Sequence, residues 1–307
     1  MAEYQTVNPA TGEPLATHRT QDLASAQEVL AAAHAAQPPW AARTVEERAA
    51  LSSRLAAVVR KHKADWARLM SLEMGKPSGE AGAELDKCAW LCEVYAENAA
   101  AWLADQPVTA DGRDHRVVYE PLGVILSIMP WNYPFWQALR FGVPTLLAGN
   151  TSVLKHARNV TGCALALGEA FAEAGFPDGA FGVVLADHEV TDALLADPRT
   201  AGVSLTGSTG AGRRVAARAG ELLKPAVLEL GGSDPFLVLA DADLDRVIPA
   251  AVLGRLQNTG QSCIAAKRFL VEAAVAEEFT ARLAAAFAER RLGDPLDPQT
   301  ELGPLVD

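Results

Sequence analysis

The run Gly123-Val-Ile-Leu-Ser-Ile-Met129, closed by Pro130-Trp-Asn-Tyr-Pro134 and followed downstream by the run Ser152-Val-Leu-Lys155, decides the fold. Both runs are short, apolar and bounded by Gly, Pro or Asn, which is how strands covered on both faces read. An alanine-rich helix is predicted over Gly162–Ala174, strands over Phe181–Ala186 and Gly202–Thr206, and a helix over Thr209–Ala219. Strands at Ala226–Leu230 and Phe236–Leu239 and a helix over Leu244–Gln257 continue the alternation. Strands alternating with helices imply parallel β-α-β units, so the fold class is α/β. Upstream, Leu51, Leu55, Val58 and Val59 recur at helical spacing, and helices are predicted over Asp22–Ala36, Val45–Met74 and Lys76–Ala104. Arg116-Val-Val-Tyr-Glu120 reads as a short strand between the two halves.

With 307 residues, 50% of them hydrophobic and 21% charged, the composition is that of a globular protein long enough for two domains. A net charge of −11 argues against a nucleic-acid surface and against anionic membranes, while a local basic pocket can still take an anionic small molecule. Cys88, Cys92, Cys163 and Cys263 make no disulfide framework and suit a reducing compartment. Met1-Ala-Glu-Tyr-Gln5 lacks the basic start and apolar core of a signal peptide. Pro121–Leu139 is uncharged, yet Pro121, Pro130 and Pro134 argue against a lipid-spanning helix. The expectation is a cytoplasmic protein with no membrane and no nucleic-acid partner.

Two residues carry the chemistry. Cys263 ends the polar, glycine-bearing segment Gln257-Asn-Thr-Gly-Gln-Ser-Cys, which suits an exposed reactive thiol. Glu229 closes the apolar run Ala226-Val-Leu and opens a double-glycine turn, where backbone passes close to a ligand. Together they suggest a thiol nucleophile and a carboxylate base. The competing reading is a cysteine packed as a small hydrophobe and a solvated carboxylate. Cys88, Cys92 and Cys163 read as structural, and no metal site is expected. Gly207-Ser-Thr-Gly-Ala-Gly212 lacks the G-x-G-x-x-G spacing, but it follows a strand and opens a helix, so its N–H groups can face a pyrophosphate.

Six segments occur in order along essentially the whole chain: Asn8-Pro-Ala-Thr-Gly-Glu13, Met129-Pro-Trp-Asn-Tyr-Pro134, Gly149-Asn-Thr-Ser-Val-Leu-Lys155, Leu205-Thr-Gly-Ser208, Leu228-Glu-Leu-Gly-Gly232 and Asn258-Thr-Gly-Gln-Ser-Cys263. Together they resemble the aldehyde dehydrogenase superfamily in its succinate-semialdehyde dehydrogenase-like branch. The resemblance implies an aldehyde dehydrogenase-like fold, with a Rossmann-like cofactor domain over residues 1–231. It also implies an oligomerisation hairpin near 106–120 and, over 232–307, the start of a catalytic α/β domain left incomplete. Family members run on well past the cysteine, so a truncated chain is expected, and a homo-oligomer, dimer or tetramer, in the full-length form.

The same resemblance implies NAD(P)-dependent oxidation of an aldehyde to the acid. Cys263 is the implied nucleophile, Glu229 the base that hydrolyses the thioester rather than leaving it for coenzyme A, and Asn132 the oxyanion donor. Trp131, Lys155, His156, Ala157, Gly207, Ser208 and Leu230 are the implied contacts of NADP or NAD. Arg158 stands where NAD-preferring members carry a glutamate, and its guanidinium suits a 2′-phosphate. Arg140 matches a substrate-binding arginine, which points to succinic semialdehyde. A second family arginine is replaced by Gln257, which leaves room for other aldehydes. The alternative is a catalytically incompetent chain that only binds a dinucleotide or self-associates.

Overall fold

The apolar runs marked as buried strands pair with one another in the computed structural model, which describes residues 2–307. The chain opens with the antiparallel hairpin β1 (Glu3–Val7) and β2 (Pro14–Arg19), followed by the helices α1 (Leu23–Ala41), α2 (Val45–Lys61), α3 (Lys63–Met74) and α4 (Ser78–Trp102). A second hairpin, β3 (Gln106–Thr109) and β4 (Asp114–Val117), is exposed along its length. Strands and helices then alternate: β5 (Val124–Met129), α5 (Pro134–Leu147), β6 (Thr151–His156), α6 (Thr161–Glu173), β7 (Phe181–Val184) and α7 (His188–Ala196). The alternation continues through β8 (Thr200–Gly207), α8 (Thr209–Glu221), β9 (Ala226–Leu230), β10 (Pro235–Val238), α9 (Leu244–Leu256), β11 (Arg268–Val271) and α10 (Ala273–Ala288).

Strands β5 to β9 form one parallel sheet in the order β7-β6-β5-β8-β9. Counted from β5 this is 3-2-1-4-5, the Rossmann order. The chain builds outward through β6 and β7, then returns to lay β8 on the other side of β5. The loops leaving β5 and β8 therefore diverge and open a crevice at the carboxyl ends of the strands. Both faces are covered. Adjacent residues of β6 enter different cores, as strand alternation requires: Leu154 packs with Leu55, Met70, Leu85 and Leu139, and Val153 with Leu30, Leu126 and Leu195. A third cluster, around Ile248, Val252, Phe279 and Leu283, joins α9 and α10 to β10 and β11. Among the described residues those two strands pair only with each other, and Leu237 and Leu270 remain exposed.

Several boundaries differ from the periodicity. The helix predicted over Val45–Met74 is two helices meeting at His62, whose ring stacks on Trp66 at 4.9 Å and whose Nε2 lies 2.8 Å from Glu173. The first helix continues past Ala36 through Pro38 and Pro39, because Trp40 is buried and its indole N–H donates to the Leu146 carbonyl at 2.9 Å. The short strand expected at Arg116–Glu120 lies earlier, as β4. The β1–β2 hairpin, α7, β11 and α10 lie outside the predicted elements. Pro121–Leu139 divides into β5, a turn and the start of α5, and no helix among the described residues is long and apolar enough to cross a membrane.

Asn150 fixes where β5 begins. Its Oδ1 accepts from the N–H groups of Leu122 (2.7 Å) and Gly123 (3.1 Å), and its Nδ2 donates to Thr145 O at 3.2 Å. Asn150→Ala leaves two backbone donors without that acceptor and should lower stability by roughly 1–3 kcal/mol for each one that stays dry. Asn150→Asp keeps the acceptor and should lose less, which urea unfolding midpoints will check.

Candidate active site

The crevice is walled by α5, and α5 is held by a buried charge. The backbone N–H groups of Phe135 and Trp136, at its first turn, donate to Glu84 Oε1 of α4 at 3.0 and 2.9 Å. The other carboxylate oxygen pairs with Lys76, and both charged side chains are almost wholly buried. The Lys76 ammonium also sits 3.9 Å above the Tyr133 ring. Burial pushes the Tyr133 phenol up to about 12, opposed by a hydrogen bond with Ser262, the neighbour of Cys263. This network fixes the turn carrying Asn132 and the helix carrying Arg140.

Opposite α5, the chain reaches Cys263 through a tight loop. Asn258, Thr259 and Gly260 all have left-handed backbones, with φ of 53°, 56° and 74°. Asn258 is fully buried, its N–H donates to Glu80 Oε2 at 2.7 Å, and its Nδ2 donates to Asn132 O at 2.8 Å. Asn132 Nδ2 donates to Gln261 O at 2.9 Å. That bond uses one of its two hydrogens and leaves the other for an oxyanion. Cys263 is half-buried, whereas Cys88, Cys92 and Cys163 are buried in the core. Desolvation pushes those three thiols up, Cys92 to about 12.

Cys263, Gln257 and Leu253 share a cavity of about 350 Å³ with Tyr133, Trp136 and Arg140. Glu229, near the end of β9, meets it through Arg140, whose Nη2 lies 3.3 Å from Glu229 Oε1. Both side chains are about half exposed, so the pair is worth little as stabilisation and can part readily. Lys267 joins the two loops, its ammonium donating to Gly232 O at 2.7 Å and to Cys263 O at 2.8 Å.

A second cavity, about 290 Å³, opens between α7 and α8 beyond β5, β6 and β8. Ile128, Leu205 and Val215 give it apolar walls, and Lys155 lies at its edge. Burial and the neighbouring Arg158 lower the Lys155 pKa, opposed by Asp187. Gly207 and Ser208 lead into α8, and Ser208 Oγ caps it by accepting the Ala211 N–H at 3.2 Å. Apolar walls beside a half-buried lysine and a helix N-terminus fit an adenosine and its phosphates.

Not every expected contact reaches this cavity. His156 is buried, with Nε2 donating to Pro134 O at 3.0 Å and Nδ1 accepting from Ala157 N–H at 2.9 Å, so its ring is committed to the turn after β5. The same bond commits the Ala157 N–H. Arg158 points to Tyr4, its guanidinium 5.3 Å over that ring, and does not line the cavity. Leu230 packs against Gly212 of α8, where a Cβ would come within 2.5 Å of it. Trp131 packs half-buried against the core around α2 to α6.

Sequence reasoning missed Lys76, Glu80, Glu84, Lys267 and Arg214. Glu84 alone left a trace, since it falls within the stripe Ala81, Leu85, Cys88 and Cys92 that α4 buries. Glu84→Gln strands the Lys76 ammonium and should cost about 3–5 kcal/mol, read as a drop in thermal midpoint. His156 makes a pH prediction. Burial lowers its pKa from 6.5 to about 4, so on acidification the unfolded chain takes up a proton that the folded chain refuses. Stability should fall between those values by roughly 1.4 kcal/mol per pH unit, a slope that His156→Asn should lose in urea unfolding series.

This geometry has counterparts. The pattern of the Aldehyde dehydrogenase family matches residues 1–307. The chain is 47% identical over 304 residues to a Mycobacterium tuberculosis succinate-semialdehyde dehydrogenase named for NADP(+), covering 98% of this chain and 66% of that protein. It is 44% identical over 300 residues to the Escherichia coli succinate semialdehyde dehydrogenase Sad, named for NAD(P)+, covering 98% of this chain and 65% of that one. A solved structure of succinic semialdehyde dehydrogenase from Streptococcus pyogenes in complex with NADP+ has a TM-score of 0.97 at 36% identity, covering 99% of this chain and 67% of that one. The chain spans about two thirds of the length of the curated relatives it matches. On a family match along its whole length, and on relatives approaching half identity, the chain belongs to the aldehyde dehydrogenase family.

Proposed function

We propose that this chain carries the site for NAD(P)-dependent oxidation of an aldehyde, with succinic semialdehyde as substrate. The observation that carries the reading is the cavity shared by Cys263 and Arg140, with Glu229 at 3.3 Å from that arginine. The Cys263 thiolate attacks the aldehyde carbon, forming the C–S bond as the carbonyl pair moves onto oxygen. The free N–H of Asn132 and the backbone N–H of Cys263 hold that oxyanion. Bound NADP or NAD supplies the acceptor for the hydride that leaves the same carbon, which turns the thiohemiacetal into a thioester. Glu229 then takes a proton from water, the water oxygen adds to the thioester, and the Cys263 thiolate departs from the acid. Arg140 pairs with the far carboxylate of the substrate.

The relatives' names for NADP(+) and NAD(P)+ support either cofactor, with Lys155, Gly207 and Ser208 as its contacts. A second reading, a dinucleotide-binding chain without turnover, draws on the exposed apolar residues Leu237 and Leu270 of β10 and β11, the last pair of strands after Glu229.

Nicotinamide absorbance with succinic semialdehyde and NADP+ tests both. Cys263→Ser should slow oxidation on the order of 10⁴-fold or more, and Asn132→Ala about 10²–10³-fold. Equal rates for the native chain and Cys263→Ser would sink the nucleophile assignment. NADP+ binding with no oxidation selects the second reading.

A further inference from the structure

Arg158 and Arg214 are the two candidate arginines for the ribose of the cofactor, and their surroundings separate them. Arg158 stacks on Tyr4 of β1, and the Tyr4 hydroxyl is tied to Thr161 Oγ1 at 2.8 Å, so the arginine rests on an anchored ring. A phosphate drawing it away has to break that cation–π contact. On α8, Ala211, Arg214, Val215 and Arg218 recur at helical spacing and all line the cavity that Lys155 borders. Arg218 is engaged by Asp192 at 3.4 Å and Glu221 at 3.0 Å, which also occupies the one carboxylate lining that cavity. Neither Arg214 nor Lys155 has an ion-pair partner among the described residues.

We propose that Arg214, acting with Lys155, is the phosphate clamp that selects a 2′-phosphorylated adenosine, and that Arg158 is a structural arginine clasped to Tyr4. The proposal rests on reading the α7–α8 cavity as the dinucleotide site. An exposed guanidinium without a competing carboxylate is free to make paired charge-assisted bonds to a phosphate. The apolar walls take the purine, and Lys155 faces the ribose from the end of β6.

Calorimetric titration tests the proposal without turnover. The full chain, Arg214→Ala and Arg158→Ala are each titrated with adenosine 2′,5′-bisphosphate and with 5′-AMP at one ionic strength, after circular dichroism confirms folding. Arg214→Ala should weaken the bisphosphate about tenfold and leave 5′-AMP within about twofold, while Arg158→Ala should leave both affinities within about twofold. Because Arg214 is exposed on its helix, Arg214→Gln provides a second variant with the same expected result. An unchanged bisphosphate-to-AMP ratio in both Arg214 variants overturns the proposal, as does a tenfold loss of bisphosphate binding in Arg158→Ala. If the native chain binds neither nucleotide, the dinucleotide reading itself falls. Binding of both with no dependence on Arg214 overturns the clamp alone.

Discussion

Glu84 has to satisfy three donors from inside the protein. One oxygen takes two backbone N–H groups from the start of α5 and the other takes the Lys76 ammonium, with almost no water in reach. Burying a carboxylate and an ammonium is costly, and the cost is offset only when each charge is close to saturated with partners. The carboxylate takes three donors, the ammonium is shared between Glu84 and the Tyr133 ring, and the negative charge also sits at the positive end of α5. The pair adds a polar anchor to the apolar packing of Leu85 and Cys88 against Phe135 and Leu139, and so sets where the turn carrying Asn132 and the helix carrying Arg140 start. Glu80 lies one turn before Glu84 on α4 and receives the N–H of Asn258 at 2.7 Å. One face of a single helix therefore orients both walls of the crevice.

The loop before Cys263 illustrates why such support is needed. Asn258 and Thr259 hold left-handed backbones, which cost a non-glycine residue of order 1–3 kcal/mol each. The bonds from Asn258 to Glu80 and to Asn132 hold the loop against relaxation. The strained turn aims Cys263 back at the crevice instead of letting α9 continue past it.

The parts legible in the sequence share a physical cause. β5, β6 and β8 are buried on both faces, so their sequences carry short uncharged, largely apolar runs, and the α/β order followed. Cys263, Glu229 and Asn132 stand out in the sequence because glycine, proline and asparagine turns punctuate the chain around them, and the structure places Cys263 and Arg140 on one cavity with Glu229 beside that arginine. Lys76 and Glu84 were illegible because a buried charge and a solvated one are written with the same letters; the partner, supplied by a fold contact, makes the difference. Arg158 sits beside Lys155 along the chain as expected, but its direction is set by Tyr4, far away in sequence. His156 follows the alternation of β6 inward, to the turn after β5. α7 spans barely more than two turns, too short for periodicity to declare itself, and only the Asp187 cap marks it.

The distribution of the thiols has a practical side. Three of the four cysteines are sealed in the core with their ionisation suppressed, and Cys263 alone stands half-open at a cavity. The folded native chain thus carries one addressable sulfur, and a maleimide dye or a fluorinated tag reaches a single position with no background cysteines to remove. Labelling stoichiometry then doubles as a folding assay: one tag per chain when the core is closed, and four when it opens.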